Sequence, residues 1–132
     1  LYCIGDGELK NFVSSCIIYK GFVSEKNKYD LMKGAIALIQ PSAYESLGIV
    51  LLESFMLGTP AIVNARSSVL RDHIKNSCAG FYYWDESELF CYMDKLIYNK
   101  NLQKIFSQNA RKYYATFYSF GKYEEKLYSI FG

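Results

Sequence analysis

Short apolar runs alternate with longer amphipathic ones along most of the chain, and this alternation constrains the fold more than any other feature. Short runs rich in β-branched and aromatic residues predict strands, and apolar residues spaced three to four apart predict helices. Strands that alternate with helices in this way indicate a parallel sheet covered by helices on both faces, an α/β Rossmann-like fold. The predicted strands span 1–4, 17–22, 35–39, 61–63 and 80–83, and the predicted helices span 8–15, 25–32, 49–57, 69–74, 86–98, 102–115 and 120–130.

Length and composition fit one globular domain over residues 1–132. Hydrophobic residues make up 51% and charged residues 21% of the 132 positions, which excludes a disordered or fibrous chain. No apolar run reaches the roughly 18 residues that a membrane-spanning helix needs. Because the chain begins at Leu1 inside a predicted strand, we expect that an upstream part of the protein is missing.

The cysteines and the histidine do not show the spacing of a metal site. The four cysteines form no C-x-x-C pair, and His73 is the only histidine in the sequence. We therefore expect no metal ion and interpret the cysteines as reduced thiols of a cytoplasmic protein.

The C-terminal part of the chain is basic. Residues 95–132 carry seven Lys and Arg against two Asp and Glu, interleaved with aromatic residues. This composition suits an anionic membrane surface or a nucleic acid, but a solvated face of an ordinary helix explains it as well. We favour the solvated face and expect no nucleic-acid partner.

The segment 41–63 is the most informative part of the sequence. Its predicted helix, 49–57, is apolar except for Glu53 and Ser54, so we expect this helix to be packed nearly all round. A carboxylate in such a helix needs a partner, because an unpaired buried charge is costly. Two explanations for Glu53 remain open, a contact with a ligand in a cleft and an ion pair in the interior.

The start of the same helix has the properties of an anion site. The backbone amides of Leu47, Gly48 and Ile49 lie where a helix N-terminus offers free N–H groups and partial positive charge. Glu45 precedes this start and Glu53 follows it. Two carboxylates on either side of an anion site suit a ligand with a phosphate between two sets of hydroxyls, such as a nucleotide sugar. Glu45 has a second interpretation, since it follows Ser42 at the spacing of a capping box.

Several motifs of the chain resemble those of one enzyme family. The stretch E-S-L-G-I-V-L-L-E at 45–53, followed by L-G-T-P-A-I-V at 57–63, resembles the Glu, seven residues, Glu motif of retaining glycosyltransferases with the GT-B fold. Four further matches follow in order along the chain: I-G-D-G-E-L at 4–9, Y-K-G-F-V at 19–23, Q-P-S at 40–42 and A-G-F at 79–81.

The resemblance implies a role for each matching position. It assigns the donor sugar to Glu45 and Ser46, and the ribose to Glu53. The backbone amides of Leu47, Gly48 and Ile49 would bind the diphosphate. Phe22 and Val23 would bind the nucleotide base. Enzymes of this family need no metal or other cofactor, and their donor substrate is a nucleoside diphosphate sugar.

The resemblance also implies that the chain is the C-terminal, donor-binding domain of a two-domain enzyme. Its partners would be the nucleotide sugar and an absent N-terminal, acceptor-binding domain, to which a terminal helix over 117–132 crosses back. The expected activity is sugar transfer to a carbohydrate or lipid-linked acceptor in bacterial surface polysaccharide synthesis. The enzyme would act in the cytoplasm or at the inner face of the membrane, with peripheral membrane contact as a lesser alternative. The 132 residues alone would be inactive.

Two other functions stay open, and the sequence departs from the family at some positions. The alternatives are a non-catalytic α/β module that binds a nucleotide or a protein partner, and a sugar-phosphate epimerase of the same architecture. Ser67 and Ser68 replace a common Gly-Gly, and Leu47 replaces an aromatic residue. Asp72 replaces a common Glu, and we expect the neighbouring His73 to be a surface or packing residue and not a catalytic base.

Overall fold

The computed structural model of this protein describes residues 1–4, 16–119 and 121–122, and these residues form five strands and five helices. The predicted helices 8–15 and 120–130 lie outside this part of the chain, apart from residues 121–122. The strands are β1 (Tyr2–Ile4), β2 (Ile18–Gly21), β3 (Leu38–Gln40), β4 (Ala61–Asn64) and β5 (Gly80–Tyr83). The helices are α1 (Glu25–Gly34), α2 (Ile49–Met56), α3 (Ser68–Ser77), α4 (Glu86–Ile97) and α5 (Lys100–Phe117).

All strand pairs among the described residues are parallel, which confirms the predicted α/β fold class. β1 pairs with β2, and the other strands form a second sheet in the order β3–β4–β5. β3 begins three residues later than predicted. Ala35 caps α1, with its N–H bonded to the carbonyl of Met32, so the chain is not yet part of a strand there.

Side-chain caps define where most of the helices begin. The Ser24 oxygen accepts the amide of Asn27, as the sequence predicted for the start of α1. Equivalent caps at α3, α4 and α5 come from Ser67, Asp85 and Asn99. Helix α2 differs, because its N-cap is Gly48 and no side chain bonds its first turn.

Alternating residues of β4 show that helices cover both faces of the three-stranded sheet. Ala61 and Val63 belong to a core cluster with buried residues of α2, α3 and α5. Ile62, between them, belongs to a second cluster that includes residues of α4 and the N-terminal half of α5. This period of two is what a strand buried on both faces produces.

The expectation that α2 is packed nearly all round is wrong. Its buried residues are Leu51, Leu52, Ser54 and Phe55, whereas Ile49 is 60% exposed and Val50 and Met56 are each 38% exposed. A single buried face results because α2 packs mainly on α5, α1 and β3. The exposed apolar positions at its start border the loop that leads into it.

The last described helix is longer than predicted and ends at Phe117, where the amide of Tyr118 bonds the carbonyl of Tyr114. Phe117, where the predicted terminal helix over 117–132 starts, is instead the last residue of α5, and residues 120 and 123–132 of that prediction lie outside the described part of the chain. None of the described helices is both long and apolar enough to cross a membrane.

Candidate functional site

A cleft lies beyond the carboxyl ends of β3 and β4, where ligands bind in open parallel sheets. It has a volume of about 480 Å³ and is formed by two loops, one between β3 and α2 and one between β4 and α3. Of the residues predicted to bind a ligand, Glu45 and Ser46 line it. The full lining is Ala43, Tyr44, Glu45, Ser46, Arg66, Ser67 and Ser68.

Hydrogen bonds hold the two loops of the cleft together. Asn64, the last residue of β4, donates from Nδ2 to the Pro41 carbonyl at 2.9 Å and accepts the Arg66 amide at 3.0 Å. The Arg66 guanidinium donates from Nη1 to the Trp84 carbonyl, also at 3.0 Å. The ends of all three strands therefore contribute to positioning one cleft.

Glu45 is oriented by a buried side chain at the end of β3. Gln40 is 8% exposed and donates from Nε2 to Glu45 Oε1 at 3.0 Å. The capping-box interpretation of Glu45 is wrong, because α2 begins at Ile49 with Gly48 as its N-cap. The Ser42 hydroxyl instead donates to the carbonyl of Tyr44, inside the loop. Glu45 thus keeps one carboxylate oxygen clear of this bond, in a cleft-lining position.

The start of α2 presents backbone amides next to the cleft loop. Gly48 has φ +77° and ψ +46°, a left-handed conformation that glycine adopts readily. The first hydrogen bond of the helix runs from the Leu52 amide to the Gly48 carbonyl at 3.0 Å. The N–H groups that precede the Leu52 amide lie outside the helical ladder, as at every helix start; the side chains of Leu47 and Ile49 are exposed, whereas Gly48 is buried.

Glu53 forms the interior ion pair that the sequence left open. Its Oε2 lies 3.0 Å from Nζ of Lys28, and its Oε1 accepts from the Tyr29 hydroxyl at 3.3 Å. The carboxylate side chain is 18% exposed. Burial, followed by the negative charge of Glu53, raises the pKa of Tyr29. Partial burial lowers the pKa of Lys28, but the carboxylates of Glu53 and Glu25 outweigh it and leave that pKa raised.

Helix α1 connects Glu53 with the residues predicted to bind the base. Phe22 and Val23 come directly before the Ser24 cap of α1, and α1 carries Lys28 and Tyr29. Phe22 is 83% exposed, and Val23 is partly buried. Neither residue lines the cleft, nor do Leu47, Gly48, Ile49 and Glu53. The predicted site therefore divides into a cleft part around Glu45 and a part along α1 and α2.

Sequence reasoning missed several residues of the site. Arg66 is a cleft cation, and Gln40, Lys28 and Tyr29 contact the two glutamates. The sequence could have predicted that the loop after β4 contributes to the cleft, since the carboxyl ends of parallel strands share one edge of the sheet. Lys28 and Tyr29 had none, because their pairing with α2 depends on tertiary packing.

His73 is buried in the interior, so the surface alternative is wrong. It is 6% exposed, and both ring nitrogens have hydrogen-bond partners. All four cysteines lie in the described part of the chain, and none of them forms a disulfide. Within the described ranges, no three His, Cys, Asp or Glu side chains come together in a way that could hold a metal ion.

Comparison with known proteins identifies the family. Residues 9–113 match the family model of group 1 glycosyl transferases. The chain belongs to this family of glycosyltransferases.

Two relatives are similar over most of the chain. An uncharacterized glycosyltransferase, MJ1607 of Methanocaldococcus jannaschii, is 24% identical over 85% of this chain and 31% of its own length. The crystal structure of WaaG, a glycosyltransferase involved in lipopolysaccharide biosynthesis, matches 99% of this chain and 38% of its own with a TM-score of 0.81 at 22% identity. That likeness supports the GT-B type of fold. The chain spans about a third of the length of these two relatives.

Proposed function

We propose that the chain is the donor-binding part of a retaining glycosyltransferase that uses a nucleoside diphosphate sugar. Membership of the group 1 family supports glycosyl transfer. One observation carries the assignment of the donor: Glu45 lines the cleft, and three residues later Gly48 is the N-cap of α2, with no side-chain hydrogen bond to the first turn. A carboxylate acceptor for sugar hydroxyls thereby stands beside backbone donors for phosphate.

The arrangement suggests how each part would act. Sugar hydroxyls donate to Glu45 and Ser46, and ribose hydroxyls donate to Glu53. The bond between the anomeric carbon and the diphosphate oxygen breaks, and its electron pair goes to the diphosphate. The acceptor hydroxyl oxygen bonds the same carbon, and its proton passes to the departing diphosphate oxygen. Amides of Leu47, Gly48 and Ile49 would stabilise the charge that develops on the diphosphate, as preorganised donors do in enzymes.

Phe22 and Val23 extend this proposal to the base. They stand at the start of α1, the helix whose Lys28 and Tyr29 contact Glu53. A nucleoside with its ribose on Glu53 would therefore reach the loop before α1. Lys28 neutralises Glu53 in the described arrangement, and the ribose hydroxyls would be additional donors to a carboxylate already in place.

The rest of the proposal concerns the whole enzyme. Because the chain spans about a third of its relatives, we propose that a further, N-terminal domain supplies the acceptor site. We also propose that the acceptor is a carbohydrate or a lipid-linked molecule in bacterial polysaccharide synthesis. The enzyme would act in the cytoplasm, at the membrane surface if the acceptor is lipid-linked. Transfer would need no metal ion. The involvement of WaaG in lipopolysaccharide biosynthesis supports the acceptor class.

Calorimetric titration of the chain with UDP, GDP and ADP, each with a matching sugar nucleotide and in the presence of EDTA, tests the donor assignment. One nucleotide series is expected to bind. Glu53→Gln should weaken both members of that series by about tenfold, the effect of one charge-assisted hydrogen bond. Glu45→Gln should weaken the sugar nucleotide and leave the plain diphosphate unchanged, since only the sugar reaches Glu45.

Glu86→Gln on α4 is the matched control, because Glu86 is an exposed acid that does not line the cleft. Thermal unfolding of each variant shows whether the fold is retained. If a nucleotide binds with an affinity that Glu53→Gln and Glu45→Gln do not change, the donor assignment is wrong. The module would then be a non-catalytic binding domain.

A further inference from the structure

His73 connects the start of α2 with α5. This α3 residue approaches the Leu47 carbonyl with Nε2 at 2.9 Å and the Tyr113 hydroxyl with Nδ1 at 3.0 Å. Its ring carbon Cδ2 lies 3.5 Å from the position that a Cβ on Gly48 would take. The imidazole therefore packs directly against the backbone that precedes α2.

The partners of the ring determine where its proton lies. A carbonyl oxygen can only accept, so Nε2 carries the hydrogen that bonds Leu47. In the neutral ring Nδ1 is then an acceptor, and the Tyr113 hydroxyl donates to it. Tyr113 keeps its proton for this bond, because burial raises the pKa of its phenol. Tyr113 thus selects the tautomer that holds Leu47.

The bond to Leu47 also orients the next amide. The described peptide bonds include no cis bond, so the Leu47 carbonyl and the Gly48 N–H point in opposite directions within one peptide plane. A carbonyl fixed on His73 turns that N–H away from α3. Glycine permits many backbone conformations, and Gly48 has no side-chain cap that would hold its amide in place.

We propose that His73 is a positioning residue for the anion-binding backbone at the start of α2. This inference rests on the proposed function, since it assigns His73 to the part of the site that would hold the diphosphate. Plain packing would favour an aliphatic side chain here, because a buried imidazole must have its polar atoms satisfied. The two hydrogen bonds explain why a polar ring occupies an interior position.

Two substitutions separate positioning from packing. The amide nitrogen of His73→Gln can take the place of Nε2 and donate to Leu47. The shorter side chain of His73→Asn places its amide nitrogen only where Nδ1 was. It can therefore bond Tyr113, but the Leu47 carbonyl loses its donor. Both variants are polar and smaller than the ring, and urea unfolding checks that each is folded.

Binding and amide exchange give independent readouts. Loss of a buried hydrogen bond predicts that His73→Asn weakens a nucleoside diphosphate by about fivefold to tenfold, whereas His73→Gln stays within about twofold of the wild type. The matching nucleoside, which lacks phosphate, should bind both variants alike. Hydrogen exchange of the Gly48 and Ile49 amides should be faster in His73→Asn only.

Nitrogen-15 spectra of the wild-type histidine ring should show a protonated Nε2 and an unprotonated Nδ1. A ring protonated on Nδ1 alone overturns the proposal, as do folded Asn and Gln variants that behave alike in binding and exchange. If the wild type binds no nucleotide, the proposed function fails. The tautomer and the amide exchange still decide the role of His73 in that case.

Discussion

Replacing Gly48 by alanine tests whether the left-handed start of α2 is required. Gly48 has φ +77°, and a Cβ there would lie 3.0 Å from Cδ2 of Leu70 and 3.5 Å from Cδ2 of His73. The left-handed conformation costs a non-glycine residue roughly 1–2 kcal/mol. The contact with Leu70 adds to this, and the reduced freedom of the unfolded chain offsets about 0.4–1 kcal/mol. We expect Gly48→Ala to lower the free energy of unfolding by about 1–2 kcal/mol.

Two other glycines serve as controls that separate strain from crowding. Gly21 has φ +65° with no atom within 4 Å of the position that a Cβ would take, so Gly21→Ala carries the strain alone. Gly34 has neither a positive φ nor a close neighbour, so Gly34→Ala should not destabilise the chain.

Urea unfolding, followed by the fluorescence of Trp84 and by circular dichroism, measures the three variants together. The expected order of stability is Gly34→Ala, then Gly21→Ala, then Gly48→Ala. Gly48→Ala should also weaken nucleoside diphosphate binding, because a Cβ would press against Leu70 and His73 and shift the backbone that is proposed to hold the phosphate. Equal stability of Gly48→Ala and Gly34→Ala would refute the account of the start of α2.

Three further predictions concern α5, the core and the cleft. The pKa of the buried Tyr113 is raised above its ordinary 10.0, so its contribution to stability is complete below pH 10 and falls as the pH rises toward the folded-state pKa. In denaturant unfolding at alkaline pH, Tyr113→Phe should reduce this loss of stability, whereas Tyr98→Phe, at an exposed position, should not. Phe55→Ala should lower the unfolding free energy by about 3–5 kcal/mol, since Phe55 is fully buried against Tyr113, whereas exposed Phe90→Ala should leave the urea midpoint unchanged. Arg66→Ala should weaken nucleoside diphosphate binding and reduce the salt dependence of that binding, because salt screens an exposed cation. Titrations at two ionic strengths measure this. An unchanged salt dependence would show that Arg66 takes no part in anion binding.

The local pattern of the sequence was enough to predict most of the fold. The short apolar run at 61–63 and the Ser24 cap involve neighbouring residues, so the strand and the helix start could be predicted directly from the sequence. The parallel sheet followed from the order of the elements.

The partners of the candidate site residues could not be predicted in this way. Glu53 needed a partner in the interior, but Lys28 lies on another helix, 25 positions earlier. The capping-box interpretation of Glu45 failed for a local reason: Ser42 and Glu45 have the right spacing, but the N-cap of the helix is Gly48. The exposure of Ile49 was missed because apolar composition does not specify which faces of a helix find neighbours.

Helix α5 has a consequence for how the domain unfolds. Its N-terminal half contributes Leu102 and Phe106 to the cluster on one face of the sheet, and its C-terminal half contributes Ala110 and Tyr113 to the cluster on the other. Helix α5 is therefore part of both core clusters. Neither cluster can be fully exposed to solvent while α5 stays packed on the other one. The two faces of the sheet should lose their protection from hydrogen exchange together, as one cooperative unit.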